Sequence, residues 1–397
     1  MKNQLQKFVA TARLGLLCLA AAALAACDQT AGIGGANRLA GADANEKVTV
    51  ALLVPLDSGQ SELTFLGTSL VNAARMARND LSGVDIDLRV YPTAGNEARA
   101  VTAAQQAVTE GAQIIVGPLF STATAAVAPV AAQNGLSVLS FSNNSKIAGN
   151  NVFVLGTTFE TIADRVVSYA TAQGQTQIAV VHSNDVGGQA GRAAAEAAIQ
   201  RYGASYAGAM GYDLSPAGIS AAAPGIAGNL RAAGANAVVF TDDPASGLTF
   251  LTPVMASAGF SNKDAQYLGL TRWNEPAAAA ATPSLQGGVF AMPDPGPLGQ
   301  FNERYIAAYG GAPHGLAGLA YDGIAAVGAM IQTAKTASGT ALTRAQITDP
   351  VGFAGVNGIF RFANSGISQR GLALMRISGG VANVIDPAPR SFAAPGS

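Results

Sequence analysis

The chain has little charge, little cysteine and little histidine, and each scarcity excludes a class of function. Of its 397 residues 12% are charged, and 23 basic against 24 acidic residues leave a formal net charge of -1. That balance provides no cationic footprint for phosphate, which argues against a nucleic-acid partner. His182 and His314 are the only histidines and neither has a partner at metal-ligand spacing, so zinc sites are not expected. No glycine is followed by lysine, and Gly-x-Ser-x-Gly and Ser-x-x-Lys are both absent, which removes the phosphate loop, the nucleophile elbow and the serine acyl-transfer motif. Gly32-Ile33-Gly34-Gly35 follows no strand and carries no dinucleotide signal. Asp242 and Asp243 are adjacent, and neighbouring side chains on an extended chain point apart, so they do not make an acid-base dyad. The expectation is a non-enzyme with no catalytic residue, no metal and no cofactor.

What is abundant is apolar surface: 49% of residues are hydrophobic, too many for intrinsic disorder. Lys2, Lys7 and Arg13 precede an apolar stretch, Leu14 to Ala26, that reads as a secretory signal and is shorter than the ~20 residues a membrane span needs. It ends in Leu24-Ala25-Ala26-Cys27, which resembles the bacterial lipobox. The resemblance implies removal of residues 1–26 and lipidation of Cys27. The expected location is therefore the periplasm, with the membrane reached through lipid alone and the choice of inner or outer membrane open. Asp28 resembles an inner-membrane retention signal. Cys18 would leave with the signal, so the processed chain would hold no free thiol. Residues 27–47 are mostly Gly, Ala, Asn and Asp and read as a flexible tether, with the folded body starting near Val48.

From Val48 onward, short apolar runs alternate with segments of helical period, the pattern of a parallel sheet covered on both faces. The runs are Val48 to Val54, Ile86 to Tyr91, Ile114 to Val116, Val138 to Leu139, Ile178 to Val181, Ala237 to Phe240 and Tyr267 to Leu270. Leu63, Leu66, Leu70, Ala73, Ala74 and Ala77 share one face of an intervening helix, and Asn96 and Gly111 read as the two caps of another. The units fall into two batches around residue 153. The fold class is α/β, with two doubly wound lobes, a hinge and an interlobe cleft, and with binding loops at the carboxyl ends of the strands. Gly358 to Phe362, the turn at Asn364-Ser365-Gly366 and Gly371 to Ile377 read as a late β-hairpin, and 386–397 as a loose tail.

The segment GAQIIVGPLFSTATAAVAPVAAQNGLSVLSFSNNS, residues 111–145, resembles the type 1 periplasmic-binding-protein fold, the family of branched-chain amino-acid receptors. VTVALLVPLDSG, QIAVVHSNDVGGQAGRAAAEAAIQRYGA and YDGIAAV match that family in order. With the lipobox, IIVGPL and GVNGIFRFANSGISQRGLALMRISGG are most similar to the LppC-type penicillin-binding-protein activators. The resemblance implies lobe 1 at 47–153 and 286–340, and lobe 2 at 154–285 and 341–385. It also implies a regulator of a peptidoglycan synthase, with an alternative: the substrate-binding lipoprotein of an ABC permease that takes an amino acid or amide.

The strand ends supply the cleft candidates. Lobe 1 offers Ser58, Ser121 and Thr122 at a helix start suited to a carboxylate, and Ser142, Asn143 and Asn144. Lobe 2 offers His182, Asn184, Asp242, Asp243 and Thr271, with Trp273, the only tryptophan, as a flat wall or a core residue. Amino-acid receptors commonly carry a glutamate where Thr271 stands, so the counter-ion for an ammonium group is missing here.

Overall fold

A computed structural model of the chain describes residues 41–337 and 339–392. The expected signal peptide at 1–26, Cys27, the expected tether as far as residue 40 and the tail from 393 lie outside the described residues. Among the described residues no helix is long and apolar enough to cross a membrane.

Two sheets organise the body. The first is fully parallel, with strands in the spatial order Ile86–Pro92, Val48–Val54, Ile114–Val116, Ser137–Ser140 and Val152–Val154. Its central strands are buried on both faces, which is why they read as continuous apolar runs rather than alternating ones. The helices Ser61–Asp80 and Ala317–Thr336 pack together on one side of it. Glu97–Thr109 and Ser121–Gln133 cover the other through small alanine faces, Ala100, Ala103, Ala104, Ala107, Ala123 and Ala131. Asn96 caps as its position implies, accepting from the Arg99 amide at 3.2 Å. Gly111 follows Glu110 with φ of 85°, the left-handed turn that glycine adopts at least cost.

The second sheet has seven strands. Ser205–Tyr212, Gln177–Ser183, Ala237–Phe240, Gln266–Gly269 and Val289–Met292 run parallel, and Ala373–Ser378 and Val381–Asp386 extend them antiparallel. Ser205–Tyr212 is an edge strand whose Ala and Gly content and exposed start hide it from a search for apolar runs.

The chain passes between lobes at different points from those expected. Val289–Met292, placed in lobe 1 by the resemblance, is a strand of the lobe 2 sheet. Phe353–Gly355, Gly358–Phe362 and Ser368–Arg370 form a separate antiparallel sheet whose Phe353, Phe360 and Phe362 pack into the lobe 1 core, although 341–385 was assigned to lobe 2. The late hairpin is real but shorter. Gly358–Phe362 pairs with Ser368–Arg370 across the turn, while Ala373–Ser378 leaves for the other sheet. Lobe 1 is thus 41–155 and roughly 294–370, and lobe 2 is 156–293 and 371–386, with crossovers near 155, 293 and 371.

Both ends of the folded body are more ordered than their composition implies. Ala42–Asp43 pairs antiparallel with Thr340–Ala341, and Ala42 and Ala44 are buried, so order begins ahead of Val48. Beyond Val381–Asp386 the chain stays docked. Arg165 pairs with Asp386 at 2.9 Å, Ala388 is buried, and the Arg361 guanidinium lies 4.5 Å from the Phe392 ring centre.

Candidate functional site

A cavity of about 580 Å³ lies between the lobes, within the usual range for a small-molecule site. Lobe 1 builds part of its wall from two successive strand-to-helix loops. After Ile114–Val116 the chain turns through Gly117, whose φ of 92° and whose missing Cβ, 2.2 Å from the Leu53 carbonyl if it were present, require glycine. Leu119, Phe120 and Ser121 then face the cavity, with Ser121 the first residue of its helix. The second loop brings Phe141, Ser142, Asn143 and Asn144. Buried hydroxyls join the loops: Thr124 Oγ1 and Ser140 Oγ are 2.7 Å apart, Ser140 Oγ donates to the Pro118 carbonyl at 3.2 Å, and it accepts from the Ser142 amide at 3.2 Å. Ser142 Oγ accepts from the Asn144 amide at 3.1 Å.

Lobe 2 answers with the crossover residues Gly156, Thr157 and Leu372, with Thr271 and Arg272 after Gln266–Gly269, and with Ala291, Met292 and Pro293. Thr271 Oγ1 donates to the Asp242 carbonyl at 3.1 Å. Burial pulls the Arg272 pKa down from its ordinary value while Glu275 opposes the shift, and a guanidinium starting that high stays charged. One of its nitrogens, Nη1, meets Glu275 at 2.7 Å, and Nε is buried without a protein partner.

The structure separates the sequence candidates. Ser121, Ser142, Asn143, Asn144 and Thr271 line the cavity, and the others do not. Ser58 sits in an exposed turn, exchanging hydrogen bonds with Gln60. Thr122 points outward from the helix start. His182 is buried, with Nδ1 at 2.9 Å from the Ser183 carbonyl. Asn184 donates to Asp213 at 2.7 Å, and Asp243 caps the short helix Pro244–Leu248 by accepting from the Ser246 amide at 2.8 Å. Asp242 is buried and accepts from the Tyr212 hydroxyl; burial raises its pKa, and the neighbouring Asp185 and Asp243 push the same way. These four belong to strands farther along the sheet from the lining strands Gln266–Gly269 and Val289–Met292. Trp273 is a core residue rather than a wall. It is fully buried against Gly269 and Gly288, where an added Cβ would lie 2.5 and 2.3 Å from the indole. Those two glycines are the signal that a large ring packs there.

Sequence reasoning missed His314 and Asn357. His314 precedes Ala317–Thr336, and its Nδ1 accepts from the Leu316 amide at 3.1 Å, which leaves the ring proton on Nε2. Burial lowers its pKa, so the ring is neutral at pH 7. Asn357 stands on the small antiparallel sheet, in a turn with no motif. Its Nδ2 donates to Asp322 Oδ2 at 3.0 Å, and Arg370 donates to the same oxygen at 2.9 Å. Arg370 also donates twice to the Leu155 carbonyl, at 3.3 and 2.9 Å. Both charges are wholly buried, and burial raises the Asp322 pKa against the pull of Arg370. This buried pair ties two crossovers to a cavity residue.

The model of the family described as periplasmic binding protein matches residues 47–381. Solved structures share the fold at low identity. A periplasmic ligand-binding protein of a branched-chain amino acid ABC transporter from Burkholderia xenovorans is 15% identical with a TM-score of 0.67, over 87% of this chain and 96% of that one. An ABC transporter substrate-binding protein from Desulfitobacterium hafniense in complex with Leu is 18% identical with a TM-score of 0.62, over 86% and 100%. A solute-binding protein from Rhodopseudomonas palustris in complex with benzoate is 17% identical with a TM-score of 0.58, over 88% and 98%. No curated protein matches. The matched span, with its two α/β lobes around one cavity, makes this chain a member of the periplasmic binding protein family.

Proposed function

We propose that the chain is the solute-binding component of an ABC importer, holding one small molecule between its lobes. The observation that carries this reading is the cavity, to which both lobes contribute side chains and around which the chain crosses between lobes near 155, 293 and 371. A ligand touching both walls favours their approach, which is how this architecture converts binding into a change of shape. The ABC-transporter proteins that share the fold support the same reading. A thermal-shift screen with amino acids, amides, organic acids and peptidoglycan fragments tests it. A ligand at 100 times its dissociation constant adds about 2.7 kcal/mol of stability, and silence across the whole screen removes the proposal.

We also propose that Cys27 carries the lipid that holds the chain at a membrane, a reading supported by Leu24-Ala25-Ala26-Cys27. Labelled palmitate entering the wild type and not Cys27→Ser supports it, and equal labelling overturns it. Regulation of a peptidoglycan synthase is the second reading, supported by the similarity of residues 355–380 to synthase activators. Adding the protein to a bifunctional synthase and following glycan polymerisation decides it; an unchanged rate together with no co-purification excludes it.

A further inference from the structure

The cavity lining is rich in hydrogen-bond donors and contains no carboxylate. Its charged member is Arg272, and elsewhere in the lining are Ser121, Ser142, Asn143 and His314, whose ring proton is on Nε2, with Ser121 at the amide end of the helix Ser121–Gln133. Glu275, the acid paired with Arg272, is more than half exposed and lies outside the lining. Asp242 and Asp243, the strand-end acids of lobe 2, are bonded to Tyr212 and to the Ser246 amide and also lie outside it. Beside the further polar residues Asn144, Thr157, Thr271 and Asn357, the wall has an apolar part that includes Leu63, Leu119, Phe141, Ile162, Leu298 and Leu316.

An ammonium group entering this space would be desolvated among donors with no carboxylate in the lining to pair with, Glu62 and Glu275, whose charges reach His314, standing outside it. A carboxylate meets the reverse situation. Arg272 lines the cavity with a side chain that is 27% exposed and has Nη1 on Glu275, so an incoming carboxylate oxygen can take a charge-assisted hydrogen bond from the accessible part of the guanidinium. We infer that the ligand class is a small apolar carboxylic acid without an amino group, its carboxylate on Arg272 and its hydrocarbon body against the leucine and phenylalanine wall. The inference rests on the solute-receptor reading and narrows it.

Matched probes that differ at one group test it on the full chain by calorimetry: 4-methylpentanoate, leucine, 4-methylpentanamide, and the pair 3-phenylpropanoate and phenylalanine. The acids are expected to bind at least about 100-fold more tightly than the corresponding amino acids, because the ammonium has no buried counter-charge. They are expected to bind roughly 10- to 100-fold more tightly than the amide, the range of a charge-assisted hydrogen bond. Arg272→Gln should bring acid affinity down to the level of the amide and leave the amide unchanged, while Arg272→Lys recovers part of the difference; the amide thus reports that the variant cavity is intact. If leucine matches or exceeds 4-methylpentanoate, the ligand class is wrong and the receptor reading stands. If Arg272→Gln leaves acid binding unchanged, the assignment of Arg272 falls. If no acid binds, the inference falls, and the broader screen then decides the receptor reading separately.

Discussion

The two walls of the cavity are built on different plans. The polar face of the lobe 1 wall is mostly local: two consecutive loops, 117–121 and 141–144, joined by buried hydroxyls, with His314 and Asn357 brought in from farther along the chain. The lobe 2 wall is assembled from afar, from crossover residues, from Thr271 and Arg272, and from Ala291 to Pro293. A strand-end rule therefore finds Ser121, Ser142, Asn143 and Asn144 in lobe 1, where it fails for Ser58 and Thr122, and overreaches more widely in lobe 2, where only Thr271 reaches the cavity. There it selects His182, Asn184, Asp242 and Asp243, which the sheet order carries away from the cavity and which find their partners locally.

The difference can be attacked first where the walls are joined. Arg370→Met leaves Asp322 buried without its cation, and breaking such a pair costs about 3–5 kcal/mol. Urea unfolding reads this directly, and a loss below about 1 kcal/mol would show that the joint is not held by the pair. Trp273→Ala comes next. A ring buried against Gly269 and Gly288 is expected to cost about 3–5 kcal/mol on truncation, whereas a cleft wall would cost little stability.

Binding sharpens the comparison further. Ser121→Ala removes a lobe 1 donor and should weaken ligand roughly 3- to 10-fold, while Asp243→Ala, outside the cavity, should leave affinity within about twofold. Equal losses in both would mean that the lobe 2 acids reach the ligand after all.

The smallest effect is in pH dependence. The folded state raises the Asp242 pKa, so it binds more protons there than the unfolded chain, and this group's contribution to stability falls as pH rises from about 4 through the folded value. Asp242→Asn keeps an acceptor for Tyr212 and lacks the titration. Relative to the wild type it should gain stability as the pH rises from about 4 in paired urea titrations, and a relative loss with rising pH would reverse the sign of the account.

How much was legible follows the same division. Continuous apolar runs exist because parallel strands are buried on both faces, so Val48–Val54, Ile114–Val116 and Ala237–Phe240 stand out at their observed limits. Edge strands such as Ser205–Tyr212 and Val381–Asp386 have one solvated side and weak patterning, and they did not stand out. Ser121 and Ser142 were legible because they lie in or at the end of the short loops that follow buried strands. Asn357 was not: it reaches the cavity only because the small antiparallel sheet packs on lobe 1, and that depends on long-range pairing with Asp322 and Arg370. Arg272 stood in view beside Trp273, but which of the two faced the cavity was decided by the glycines at 269 and 288, far apart from each other in sequence.

Calorimetric titration of the wild type, Ser121→Ala and Arg272→Gln with 4-methylpentanoate tests the central claim, one solute held by both walls, most directly. The account predicts saturable binding at one site per chain, weakened by each substitution from its own side of the cavity. Saturable binding that neither substitution alters would contradict it.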